Sequence, residues 1–219
     1  MNAYLQRLRP LAFLPALLLL LTVVVAEQDR TELSEMALVI GLGLDSNPEG
    51  GEPWELTVEL AYKQQNDSPG EKQVFTAAGG SWEELREELG KVLDKNAHWS
   101  SASLLILGGP VLETAEGKEL LRSIFLDPKI NGELLLAVSA EEPSQVFSAS
   151  FGESNYLSAG LEQGLRLQAK TQEKQAVSLF DYMEQVLALE GSLAVPILHL
   201  EKQEDQAEAA IAKESYLAF

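Results

Sequence analysis

No cysteine occurs in the 219 residues, which removes disulfides, thiolate nucleophiles and thiolate metal sites together. Histidine is nearly as scarce, with only His98 and His199 to serve as a base or ligand, and no G-x-S-x-G elbow is present. Basic residues are also few: 16 Lys and Arg stand against 34 Asp and Glu, a formal net charge of −18. Phosphate backbones and anionic headgroups repel such a surface, so nucleic acid is excluded as a partner, as is membrane binding through basic charge.

One long apolar run breaks the polar composition. Arg7 and Arg9 precede Leu11 to Ala26 (LAFLPALLLLLTVVVA), sixteen uncharged residues ending on small Ala26. This is the pattern of a secretory signal. Left uncleaved it is a short membrane helix, spanning about 24 Å at roughly 1.5 Å per residue against a hydrocarbon core of about 30 Å. Cytoplasmic arginines put everything after Ala26 on the outer side of a membrane in either case. Residues 1–26 contain two arginines and no acid, so the exported part carries −20. Without disulfides, its roughly 190 residues depend on a hydrophobic core, enough for one large or two small domains.

Downstream, strand and helix patterns alternate. Met36 to Leu44 (MALVIGLGL) reads as a strand buried on both faces, and Trp54 to Tyr62 (WELTVELAY) as one with inward apolar and outward Glu and Thr residues. The cluster SNPEGGEP between them makes a hairpin, and Gln73 to Ala78 adds a third strand. S-W-E-E at Ser81 is a capping box opening a helix to Asn96, with Trp82, Leu85, Leu89, Val92 and Leu93 on its apolar face. Leu104 to Leu107 is a strand, Thr114 to Leu126 a helix stopped by Asp127-Pro128, Glu133 to Ser139 a strand, and Pro143 an N1 residue of a short helix.

Phe151 to Gln175 is rich in Gly, Ser, Gln and Lys, and reads as a helical connector with a Leu157, Leu161, Leu165 stripe. Ser178 to Glu190 is a helix, and Leu193 to Leu200 a strand whose Pro196 marks an edge or a bulge. Polar Glu201 to Lys213 is expected to be a turn or short helix, and terminal SYLAF a strand whose partner lies further on. The domain organisation expected is therefore 1–26 as signal or anchor, 27–150 as an α/β domain with a mixed sheet, and 151–219 as a connector plus the start of a second α/β domain, truncated at the C-terminus.

The candidate chemistry is thin. Gly41-Leu42-Gly43 lacks the third glycine of a dinucleotide fingerprint, and its glycines instead suit close packing or a bulge. Ser81, Ser101 and Ser103 have no base nearby in sequence. His98 suits a helix C-terminus, and His199 with Glu201 at i, i+2 lacks a third metal ligand. Glu87-Glu88 and Glu141-Glu142 read as solvated charges. No catalytic, cofactor-binding or metal residue is assigned, and no cofactor.

DRTELSEMALVIGLGLD, Asp29 to Asp45, resembles the start of the mature C subunit of spore germinant receptors, the Ger(x)C family, through Asp29, Arg30, Glu32, Leu33, Gly41, Gly43 and Asp45. SWEELREELGKVLDKN with SLLILGG, then FLDPKINGELLLAVSAEEPSQVF, then LAVPIL, are similar to later family segments in the same order. Members usually carry a lipidated cysteine before the Asp-Arg pair, where this chain has Glu27-Gln28, and a histidine near Ala102 and Ser103. The resemblance implies mixed sheets packed with helices. It also implies a non-enzymatic accessory subunit on the outer face of the spore inner membrane, working with membrane-embedded A and B subunits. Two other functions fit the residues: an extracytoplasmic small-solute-binding module, which needs an apolar pocket with convergent polar groups, and an exported carboxylate hydrolase, which needs two facing carboxyls about 5–10 Å apart in a cleft.

Overall fold

A computed structural model describes residues 36–47, 51–61, 72–93, 96–171, 176–188, 193–203 and 206–218. The expected leader at 1–26 and the motif residues Asp29, Arg30, Glu32 and Leu33 lie outside the described residues.

The apolar run at Met36 becomes strand β1 (Met36–Ser46), and the turn cluster after it returns the chain antiparallel as β2 (Trp54–Ala61), with Leu42 opposite Val58. Strand β3 (Gln73–Gly79) extends this meander antiparallel to β2. Helix α1 (Trp82–Val92) follows, its first turn closed by Ser81 Oγ, which accepts from Glu84 N at 3.3 Å, while Glu84 Oε2 accepts from Gly80 N at 2.8 Å. These are the two reciprocal bonds of a capping box, the second displaced by one residue. The helix ends four residues short of Asn96, because Asn96 belongs to β4 (Asn96–His98), which pairs parallel with Met36–Leu38. Val92 falls off the apolar face and is exposed, whereas Trp82, Leu85, Leu89 and Leu93 are buried.

After a single 3-10 turn at Trp99–Ser101 come β5 (Leu104–Gly108), α2 (Gly109–Glu113), α3 (Ala115–Leu126), β6 (Leu135–Ser139) and α4 (Pro143–Ser148). Thr114 caps α3 by accepting from Gly117 N at 3.1 Å. Then follow α5 (Leu157–Thr171), α6 (Leu179–Ala188), β7 (Leu193–Gln203) and β8 (Gln206–Ala218). The result is one mixed α/β sheet, ordered β3-β2-β1-β5-β6-β7-β8 with β4 beside the start of β1. β1, β5, β6 and β7 run parallel, while β2, next to β1, and β8, next to β7, run antiparallel.

Because alternate strand residues face opposite sides, the sheet builds two cores. Leu105, Leu107, Leu136 and Val138 point into one, with α1, α2, α3 and α6. Leu104, Ile106, Leu135 and Ala137 point into the other, with Phe147 of α4 and Leu157, Leu161 and Leu165 of α5. The low-complexity stretch after residue 150 is therefore not a spacer: its leucine stripe seals the second face. Residues 36–219 form one unit, and β7 pairs with β6 in the same sheet, so no domain boundary falls at 150.

Near the C-terminus the edge-or-bulge expectation for Pro196 resolves as a bulge, and two other expectations fail. β7 is not an edge, since it pairs with β6 on one side and β8 on the other; Pro196 is accommodated by a bulge between Pro196 and Leu198. The described residues of Glu201 to Lys213 form not a helix but the end of β7 and most of β8, with Leu200 opposite Ala209. Their Ala and Glu content favours helix locally, and pairing with β7 overrides it. The apolar terminal segment finds its partner upstream, Tyr216 lying opposite Val195.

Candidate functional site

On β1 the motif residues Gly41, Gly43 and Asp45 alternate, so they share one face, that of α4 and α5. A Cβ on Gly41 would lie 1.9 Å from Ser158 Oγ and 2.8 Å from Phe147 Cε1, and one on Gly43 2.5 Å from Pro143 Cβ and 2.9 Å from Phe147 Cε2. The two glycines thus leave a trough in which the fully buried Phe147 ring sits. The pairing with β2 also shifts register between Val39 and Gly41, so both structural roles expected of these glycines occur together. Asp45, one step further along, accepts from Ser46 N at 2.7 Å, and Gly108 of β5 is bare beneath it: a Cβ there would stand 2.0 Å from Asp45 Oδ1.

The most consequential polar residue is one that alternation had sent to solvent. Glu59 of β2 is completely buried, because its face of the sheet is covered by α4 and α5. Its carboxylate accepts from Leu157 N at 2.7 Å and Ser158 N at 2.8 Å, the first two amides of α5. Tyr156, whose carbonyl accepts the first helical bond from Gly160, is not a residue type that caps its own helix, so the strand supplies the cap. A negative charge at a helix N-terminus is also favoured by the helix dipole. Around this centre, burial lowers the Lys72 ammonium pKa against the raising effect of Glu59, and Lys72 donates to Ala149 O at 2.6 Å. Burial raises the Tyr156 phenol pKa, and Glu59 adds to the rise. Ser158 Oγ, fully buried, has no hydrogen-bond partner among the described residues. The sequence signal for this cluster is long-range: an uncapped helix start in one segment and an acid on a covered strand in another.

Carboxylates gather at the opposite end of the parallel strands from Met36. Asp45 and Glu55 are cross-strand partners. Burial raises the Asp45 pKa; hydrogen bonds from Ser46 oppose this, and Glu142 reinforces it. Burial likewise raises Glu55, helped by Glu142 and then Asp45. Glu141 is bound into the fold, accepting from Ser139 Oγ at 3.3 Å and Leu200 N at 3.4 Å. His199 Nε2 and Glu201 Oε1 meet at 3.0 Å, and no group of three or more His, Asp or Glu side chains among the described residues is placed to hold a metal. His98 lies on β4 and precedes the 3-10 turn rather than standing at a helix C-terminus, with Nε2 2.8 Å from Ser100 Oγ. An open depression of about 450 Å³ runs along the outer side of α5, lined by Ala159, Glu162, Gln163, Arg166, Leu167 and Lys170. Four of its six lining residues are polar or charged and it lies open to solvent, unlike the well-formed apolar pocket a small-solute module requires.

The family model for the spore germination protein N-terminal domain matches residues 29–200. The chain belongs to this family. The germination domain so matched begins at Asp29, takes in Gly41, Gly43, Asp45, the Glu59 cap and all of α5, and ends at Leu200 within β7. No curated protein and no solved structure matches the chain. Within the germination domain the motif residues that are described act on packing: two glycines seat Phe147, and Asp45 occupies space that Gly108 leaves.

Proposed function

We propose that this chain is a non-enzymatic accessory subunit of a spore nutrient-germinant receptor. Residues 1–26 attach it to the outer face of the inner membrane, and it assembles there with membrane-embedded A and B subunits. The observation that carries the reading is the family match over residues 29–200. The deployment of the polar side chains supports it: Glu59 caps a helix, Asp127 accepts from Trp82 Nε1 and pairs with Arg86, and both histidines have neighbours two residues away. These groups are engaged in holding the domain together rather than converging on a substrate.

Spores lacking the chain test it. They should lose the response to the cognate nutrient and still germinate when nutrient sensing is bypassed. A chain carrying both His98→Gln and His199→Gln should restore the nutrient response. Normal nutrient germination without the chain, or failure of a histidine variant that accumulates normally, would overturn the proposal.

A further inference from the structure

We propose that the end of the domain at which β1 begins is a bilayer-facing edge, with Val92, Leu126 and Phe180 as its lipid-touching residues; this rests on the reading that residues 1–26 hold the chain at a membrane. β1, β5, β6 and β7 all start at this end, and β4 pairs beside Met36 there. The last turn of α1, the last turn of α3 and the first turn of α6 converge on it. Each carries a large apolar side chain in solvent: Val92 at 52%, Leu126 at 65% and Phe180 at 49% exposure. They are three of the four exposed large apolar side chains among the described residues, the other being Leu167 on α5. Phe180 is held in place by its backbone N, which donates to Gly132 O at 2.9 Å in the α3–β6 turn, and its ring lies 6.2 Å from Phe125.

The two ends differ in charge. At this end cations and acids are interspersed: Lys91 pairs with Glu88 and Glu87, Arg122 with Glu119 and Arg86 with Asp127, exposed Lys129 and Glu133 flank the α3–β6 turn, and Asp181 accepts from Ser178. The opposite end carries Asp45, Glu55, Glu141 and Glu142 in a molecule already of net charge −18, a surface that anionic headgroups repel. Between Ala26 and Met36 lie nine residues, Glu27 to Glu35, which reach about 30 Å when fully extended. A domain so tethered cannot leave the surface; the tether itself carries Glu27, Asp29, Glu32 and Glu35 against Arg30, but it joins the domain at the end opposite the Asp45, Glu55, Glu141 and Glu142 cluster. Three separate side chains bury too little area to recruit a free protein. The tether supplies the effective concentration that makes their insertion favourable.

The absence of cysteine makes the test clean. Full-length chains bearing Val92→Cys, Leu126→Cys, Phe180→Cys or, at the far end of β6, Ala140→Cys are labelled with bimane. They are then reconstituted in vesicles of equal parts phosphatidylcholine and phosphatidylglycerol, with and without brominated acyl chains. Near-ultraviolet circular dichroism of the tryptophans verifies folding of each. Fluorescence at 92, 126 and 180 should fall several-fold with the brominated lipid and stay unchanged at 140. Equal quenching at all four positions, or none at the three, in a chain that floats with the vesicles would overturn the edge and leave the membrane reading standing. A full-length chain that does not float would overturn both.

Discussion

Gly41 and Ser158 occupy space that only one of them can fill. Gly41→Ala drives a methyl into Ser158 Oγ and Phe147, an overpacking that costs about 1–3 kcal/mol. Ser158→Ala removes a buried hydroxyl without a hydrogen-bond partner among the described residues, and should be neutral or stabilising while its backbone N–H stays on Glu59. Combined with Gly41→Ala it should recover part of the loss, measured as urea midpoints; a fully additive double variant would contradict the contact. Glu59→Gln keeps an acceptor at the start of α5 but loses the charge, and is expected to cost about 1.5–3 kcal/mol in the same assay. Asp45 gives a pH signature. Its folded pKa is raised, so the folded state carries the cost of its charge at neutral pH and binds a proton before the unfolded state does as pH falls. Asp45→Asn should therefore be more stable than the wild type at about pH 7, with the gap closing as pH falls through the raised value towards about 4. A gap of constant size over that range would show that burial of the charge is not its cause.

Helix starts show how local information can suffice. Ser81 reads as a cap from S-W-E-E alone, and the structure differs only in which amide Glu84 takes. Ser178 and Asp181 form the same device for α6, with Ser178 Oγ donating to Asp181 Oδ2 at 2.7 Å and accepting from Asp181 N at 3.1 Å. Ser81→Ala, at an exposed cap, should cost about 1 kcal/mol, and Ser178→Ala, which removes a buried hydroxyl that both donates to Asp181 and accepts from its amide, about 2 kcal/mol; the reverse order by urea titration would contradict the assignment. Elements whose state is set by distant partners were not legible. Glu201 to Lys213 carries helix-forming Ala and Glu, and only the hairpin with β7 makes it a strand. Glu59 sits at an alternation position that means solvent in a bare hairpin and burial once α4 and α5 cover the sheet. The Gly41 and Gly43 roles were legible because a strand glycine has few reasons to exist, whereas Val92 was misplaced by a single helical position at the last turn of α1.

At the scale of the molecule, one sheet with a core on each face joins segments that composition had divided at residue 150. The mixed α/β class was visible from the alternation of strand and helix patterns, but not the continuity of the sheet, since the helices between β6 and β7 lie on both faces. The resulting domain gathers carboxylates at the carboxyl ends of its parallel strands and bears three of the four exposed large apolar side chains among the described residues at their amino ends, the polarity on which the proposed bilayer-facing edge rests. The central claim is that this germination domain works by assembly. Its most direct test is isolation of an affinity-tagged full-length chain from mildly solubilised spore inner membrane, with the stoichiometry of what accompanies it read by quantitative mass spectrometry. The account predicts recovery in fixed proportion with the two membrane-embedded receptor subunits. Recovery of the chain alone, from membranes in which both subunits are present and intact, would contradict it.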